Sequence, residues 1–225
     1  MTFLFPPHPT SVIPVQDSHH AFPVHRIYCV GQNYSDHVKE MGGDPRENSP
    51  VFFSKPSDAV VIGNQPVTYP PATSDLHYEV ELVVALASGG SDIDVEEALA
   101  RVFGYAVGID FTRRDLQAEA KKEGRPWDAA KGFDQSAPTS AIRSTNEGDH
   151  PLEGRISLSV NGETRQNAKL SDMIWSVPEI ISELSKYYEL KAGDLIFTGT
   201  PAGVSAVVAG DQISAEIEGV GEINF

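Results

Sequence analysis

Three carboxylates stand at the ends of two apolar runs. Glu79-Val80-Glu81 opens the segment Tyr78 to Leu86, the most strand-like stretch of the chain. Side chains two apart on a strand leave the same face, roughly 6.6 Å apart along the backbone. Tyr78, Val80, Leu82, Val84 and Leu86 then take the opposite face, while Val83 and Ala85 continue the carboxylate face. The strand is therefore apolar on both sides, with two acids at one end. Like charges about 4 Å apart repel by about 4 kcal/mol at an effective dielectric of 20. A divalent cation is the simplest remedy; solvation, or pairing with lysines, is the alternative for any Glu-x-Glu. Asp110 weighs toward the cation, because it ends another strongly apolar strand, Tyr105 to Ile109, where an unpaired aspartate is costly to bury. Three carboxylates with no His or Cys motif nearby describe a hard oxygen site for Mg²⁺ or Mn²⁺ rather than zinc.

A second pair suits proton transfer. His37 and Glu40 lie three apart on the helical-looking stretch Ser35 to Met41, so they share a face. A carboxylate that holds one imidazole nitrogen fixes the tautomer and raises the basicity of the other, as a general base for water requires. The same string also suits a solvated, salt-bridged turn. His8, His19, His20 and His150 fall in loop-like sequence, and His77 is placed to support Glu79. Lys55, Arg113, Arg114 and Lys131 are candidates to receive an anion, each with a surface cation as its alternative, and Arg113 is assigned that surface role. Arg114 and Gln117 are three apart on one helix just after Asp110 and so reach toward the same site. Thr198-Gly199-Thr200-Pro201 follows the apolar run Leu195 to Phe197. A glycine turn there either aims backbone N–H groups at a carboxylate or is merely a turn. No Gly-x-Ser-x-Gly elbow or Walker loop is present.

The elements that must position these groups are mostly strands. His25 to Val30, Pro50 to Phe53, Pro66 to Tyr69, Tyr78 to Leu86 and Gly104 to Ile109 read as strands. Ile156 to Val160 and Glu163 to Asn167 form a hairpin about Asn161-Gly162, and the tail from Asp194 to Phe225 is strands again. Helices are expected over Asn33 to Met41, stopped by Gly42-Gly43, over Asp94 to Phe103, and over Arg114 to Lys122, closed by Gly124. Another begins at Pro178, in its first turn. Strands outnumber helices without regular alternation, which favours an α+β, mainly β fold of packed sheets over a doubly wound one. Residues 1–24, rich in proline, are expected to be an extended arm lying on the body, and residues 25–225 a single catalytic domain.

Composition narrows the partners. The 225 residues carry 32 acidic and 17 basic side chains, a formal net charge of −15. Nucleic acid and anionic membranes are repelled at long range by such a chain, so an anionic ligand must be caught locally. No run approaches a membrane span of about 18 apolar residues, and Met1 to Pro7 shows no pattern of a signal peptide. One cysteine, Cys29, agrees with a reducing, cytoplasmic setting. A chain this long buries about 70% of its unfolded surface and needs no disulfide or structural metal.

Six stretches in register carry a resemblance. They are Cys-Val-Gly-Gln-Asn-Tyr-Ser-Asp-His (29 to 37), Phe-Phe-Ser-Lys-Pro (52 to 56), His-Tyr-Glu-Val-Glu-Leu (77 to 82), Gly-Ile-Asp-Phe-Thr-Arg-Arg-Asp (108 to 115), Ala-Lys-Gly-Phe-Asp (130 to 134) and Phe-Thr-Gly-Thr-Pro-Ala-Gly-Val (197 to 204). From about Arg26 onward the chain resembles the fumarylacetoacetate hydrolase family. Glu-Met-Gly-Gly-Asp-Pro (40 to 45) and the proline-rich arm point to its single-domain acylpyruvases. The resemblance implies a mixed β-sandwich-like roll, usually a homodimer, with Glu79, Glu81 and Asp110 as metal ligands. It implies that His37 and Glu40 activate water on a lid that orders over the ligand, that Lys131 stabilises oxyanion charge, and that Arg114, Gln117 and Thr200, beside Gly199, contact substrate. Gln32 departs from the pattern, standing where many relatives carry arginine. The implied reaction is hydrolysis of a carbon–carbon bond in a 2,4-dioxo acid, foremost fumarylpyruvate to fumarate and pyruvate. Oxaloacetate decarboxylation, isomerisation or decarboxylation of hydroxylated dienedioates, and metal-dependent binding without turnover are the alternatives.

Overall fold

Val80–Leu86 and Val102–Ile109 run antiparallel at the centre of an eight-stranded mixed sheet, with Val80 opposite Ile109 and Glu81 opposite Gly108. This register carries Glu79 and Asp110 to the same end of the sheet, where the Asp110 N–H donates to the Glu79 carbonyl at 2.8 Å. The computed structural model describes residues 3–34, 49–145 and 149–225. On one side the sheet continues through Leu195–Phe197, Ile27–Gly31 and Val51–Lys55; on the other through Ala137–Thr139 and Val60–Ile62, with Arg143–Ser144 also paired to Val102–Ile109. The pairings of Leu195–Phe197 with Ile27–Gly31 and of Ala137–Thr139 with Val60–Ile62 are parallel.

The two faces of Val80–Leu86 enter different cores. Val80, Leu82 and Val84 pack with Ile156, Leu158, Ile213 and Ile217 of a four-stranded antiparallel sheet and with Ile180 and Leu184 of the helix Val177–Ser185. Val83 and Ala85 pack on the other side with Ile13, Phe22, Cys29 and Phe197. Every residue of the strand is buried as a result, as the doubly apolar pattern predicts. Gly108 has a steric role here: a Cβ on it falls 2.4 Å from Val83 Cγ2 and 2.6 Å from Phe197 Cε1, so only glycine lets Phe197 lie across the strand beside Glu81.

The proline-rich arm folds into a hairpin, Val12–Pro14 against Ala21–Pro23, which buries Ile13 and Phe22 in the second core. Its alternating burial, exposed outside and buried inside, explains why it forms strands despite its prolines. The fold is α+β and mainly β, as read from the sequence, and the hairpin about Asn161-Gly162 and the first-turn position of Pro178 are as expected.

Two expected elements differ. Pro66 to Tyr69 joins no ladder among the described residues: the Thr68 N–H donates instead to the Gln135 side chain at 2.8 Å, and the strand of this region is Val60–Ile62. The expected helix Asp94 to Phe103 is a single α-turn, Val95–Ala98, followed by a 3₁₀ turn, because Val102 already belongs to the central strand. The expected helix over Asn33 to Met41, with His37 and Glu40, lies outside the described residues beyond Tyr34. Among the described residues no helix is long and apolar enough to cross a membrane.

Candidate active site

Glu79, Glu81 and Asp110 converge at the strand ends, all three buried, with one oxygen of each within 4.8 Å of the others. Three cations from separate elements answer the charge of two of them. Lys131, from the short helix Asp128–Lys131, donates to Asp110 Oδ2 at 2.6 Å, to Thr112 Oγ1 at 2.6 Å and to Glu79 Oε2 at 3.1 Å. An ammonium has three N–H bonds, so this one is fully committed. Thr112, having accepted from Lys131, donates to Glu79 Oε1 at 2.8 Å. Arg114 reaches the same oxygen at 2.5 Å and gives its second terminal nitrogen to Gln117 Oε1 at 2.6 Å. Both sit on the helix Arg114–Glu123, closed by Gly124 in the left-handed conformation, as the sequence predicts.

Lys55 is not a surface cation or an anion receiver. It is buried, donates to the carbonyls of Phe111, at 3.1 Å, and Lys131, and lies 2.8 Å from Asp110 Oδ1. It thereby ties the Asp110 corner to the turn that presents Lys131. Arg113, expected as a surface cation, is half-buried, its guanidinium 4.3 Å from the centre of the Phe133 ring and donating to the Ala129 carbonyl. His77 supports the acids through Arg114, whose Nε lies 3.4 Å from His77 Nδ1 while His77 Nε2 bonds Asp75 at 2.9 Å. Burial, and then the Arg114 charge, lower the His77 pKa and favour the neutral ring.

Among the described residues, Glu81 is the acid left without a cation in contact. Its Oε2 accepts the Gly199 N–H at 2.8 Å, so the carboxylate that the glycine turn meets is the protein's own rather than a ligand's. Gly199 adopts φ +96°, and a Cβ on it would lie 2.7 Å from Asn33 Cβ, which makes glycine obligatory at this turn. Burial, then Asp110 and Glu79, push the Glu81 pKa well above the ordinary carboxylate value. Lys131 is held above its ordinary value: burial works against the ammonium, but Asp110 and Glu79 outweigh it.

A cation fits this arrangement on two observations. The donor set is three carboxylates, the oxygen-only chemistry preferred by Mg²⁺ and Mn²⁺. In addition, Glu81 is buried and, among the described residues, has no cation in contact, whereas Asp110 and Glu79 are each answered by a lysine or arginine. A metal in contact with these oxygens would supply the positive charge that Glu81 lacks.

Arg114, Gln117, Lys131 and Thr200 line one cleft above Glu79 and Glu81, together with Gln32, Phe53, Lys121 and Trp127. Thr112, Gln166 and the role of Lys55 are additions that the sequence did not disclose. Gln166 is fully buried and joins both halves of the site: its Oε1 accepts the Val80 N–H at 3.0 Å, and its Nε2 donates to Thr200 Oγ1 and to the Pro201 carbonyl, each at 2.8 Å. Because Thr200 Oγ1 accepts from Gln166, the threonine's own proton is free to be donated elsewhere. Replacing Gln166 with leucine leaves three buried backbone and hydroxyl groups unpaired and is expected to lower stability by about 3 kcal/mol, read from urea unfolding in chelator. A change below about 1 kcal/mol would show that the turn is held by other contacts.

Residues 26–225 match the family described as fumarylacetoacetate (FAA) hydrolase C-terminal. A fumarylpyruvate hydrolase of Ralstonia sp is 46% identical over 174 residues, covering 77% of this chain and 90% of that protein. A mitochondrial oxaloacetate tautomerase of Rattus norvegicus is 47% identical over 199 residues, 88% of this chain and 90% of that one. The crystal structure of fumarylpyruvate hydrolase from Pseudomonas aeruginosa in complex with Mn²⁺ and pyruvate superposes with a TM-score of 0.97 at 46% identity, covering 99% of this chain and 97% of that one.

Proposed function

The chain belongs to the fumarylacetoacetate hydrolase family, and on that premise we propose that it is a metal-dependent acylpyruvate hydrolase whose preferred substrate is fumarylpyruvate. The observation that carries the reading is the buried triad Glu79, Glu81 and Asp110 with the Lys131 ammonium bonded to two of its members. The resemblance in sequence and shape to two fumarylpyruvate hydrolases supports the choice of substrate.

In this reading Glu79, Glu81 and Asp110 would hold a divalent cation, which would supply positive charge to the 2-oxo acid head of the substrate. Arg114 and Gln117 orient the bound chain from their shared helix face, and the Thr200 hydroxyl donates to a substrate oxygen. His37, held by Glu40, removes a proton from water as it adds to the C4 carbonyl; both residues keep the role their sequence assigns, outside the described residues. Lys131 turns its longest bond, the 3.1 Å contact to Glu79, toward the oxyanion that forms at C4. The C3–C4 bond then breaks, C4 leaves as the carboxylate of fumarate, and C3 takes up a proton to give pyruvate. The working form is taken to be a cytoplasmic homodimer.

The second reading is oxaloacetate tautomerisation, favoured by the identity to the rat protein; it moves a proton between carbon and oxygen and needs no attacking water. The deciding experiment follows the ultraviolet absorbance of fumarylpyruvate, acetylpyruvate and oxaloacetate with purified protein, in Mn²⁺ and in chelator. Metal-dependent loss of fumarylpyruvate with fumarate and pyruvate appearing in equal amounts is the expected result. Enol–keto exchange of oxaloacetate with no cleavage of either diketo acid would replace the hydrolase reading with the tautomerase.

A further inference from the structure

Among the described residues, one cation of the cleft has no acid in contact with it. Arg114 is bonded to Glu79 and Gln117, and Lys131 to Glu79, Asp110 and Thr112. Lys121 lines the same cleft, one helical turn beyond Gln117 and two beyond Arg114, so the three share a face. Among the described residues its ammonium has no carboxylate or other hydrogen-bond partner. Its side chain is exposed and lies on an aromatic pair: Nζ is 5.1 Å from the centre of the Trp127 ring, and that ring packs against Phe53 at 5.8 Å. Arg125, the nearest alternative, is paired with Glu123 at 2.8 Å and two-thirds exposed.

The cleft is therefore polar at both ends and aromatic between them. Its lining carries Glu79 and Glu81 at one end, then the side chains of Phe53 and Trp127, and at the other end the Lys121 ammonium, in a protein of net charge −15. A ligand whose 2-oxo acid head sits at the first end extends along the aromatic side chains to the second. We propose that Lys121 receives the distal carboxylate of a dianionic substrate and so selects acyl groups that end in a carboxylate over those that end in a methyl group. Burial, together with repulsion from Arg114 and Lys131, lowers the Lys121 pKa, and an anion beside it relieves that repulsion. This inference rests on the acylpyruvate reading and specifies which acyl group that site takes.

The test uses the full chain loaded with Mn²⁺ and two probes of equal length that cannot be cleaved, 2-oxoheptanedioate and 2-oxoheptanoate, with calorimetric Kd values for each. The wild type is expected to bind the diacid about tenfold more tightly, the usual scale of one charge-assisted hydrogen bond. Lys121→Met, which keeps the stem on Trp127, removes that preference while leaving the monoacid Kd within twofold, and Lys121→Arg keeps it. A preference that survives in Lys121→Met, or that the wild type lacks, overturns the inference. Turnover of fumarylpyruvate is measured on the same samples: its absence beside a Lys121-dependent preference removes the hydrolase reading and leaves the carboxylate contact standing.

Discussion

Substituting Glu81 with glutamine is expected to reduce metal-dependent turnover by about a thousandfold while leaving the metal-free protein at least as stable as the wild type. The first half follows from charge. The metal's contribution to a polarised carbonyl is several kcal/mol, and each 1.4 kcal/mol is about tenfold in rate; an amide in place of the acid removes one of the triad's negative charges. The second half follows from the surroundings of Glu81, which is 1% exposed and has a backbone N–H as its close partner. Glutamine still offers an oxygen to Gly199.

The effect of pH on the metal-free protein has a definite sign. Burial, Asp110 and Glu79 raise the folded pKa of Glu81 above its unfolded value of 4.5. Between those two values the native state binds more protons than the unfolded one, so stability falls as pH rises. Thermal unfolding in chelator is expected to show wild-type Tm declining relative to Glu81→Gln from about pH 4.5 upward. Mn²⁺ should then raise Tm for the wild type alone. An equal Mn²⁺ shift in both proteins would refute the assignment of Glu81 as a ligand.

Lys131→Met is expected to be the other severe change, and the two variants separate by their response to metal. Losing one preorganised oxyanion donor costs about 10²- to 10³-fold in kcat. Removing one partner from a buried ion pair costs about 3–5 kcal/mol, and here Asp110 and Glu79 both lose a contact, at 2.6 and 3.1 Å. Since a divalent cation answers the same two carboxylates, Mn²⁺ should recover much of the lost stability but none of the lost rate. The stabilisation by Mn²⁺ is therefore expected to be larger in Lys131→Met than in the wild type, read as Tm in Mn²⁺ minus Tm in chelator. A smaller shift in the variant would mean that Lys131 assists the metal instead of standing in for it.

The triad was legible in sequence because each member sits where a regular apolar pattern stops. Alternation of period two placed Glu79 and Glu81 together, and a lone acid closing Tyr105 to Ile109 marked Asp110. Arg114 and Gln117 were legible from helical spacing. Lys55 was not, since its burial depends on Val51–Lys55 lying on the outer side of Ile27–Gly31, a pairing that no local pattern encodes. Gln166 was hidden by a bulge. A regular two-residue hairpin pairs Leu158 with Arg165, whereas the register shift after Leu158 brings Gln166 to that place and turns its amide toward the site. Asp94 to Phe103 misled because Val102 continues the helical spacing of Val95, Ala98 and Leu99, while its long-range pairing with Leu86 assigns it to the sheet.

The strand that carries Glu81 is wedged between two hydrophobic cores, with Val80, Leu82 and Val84 on one side and Val83 and Ala85 on the other. Its backbone has little room to adjust to what the carboxylates hold. An ion must then suit the oxygens as they stand, and ionic radius becomes the criterion of entry. Calcium, which takes six to eight oxygens at about 2.3–2.6 Å in pliable surroundings, is disfavoured at such a floor. Magnesium and manganese, content with fewer protein ligands and with water for the rest, are not. Aliphatic side chains that touch no ion would in this way bear on the choice among them.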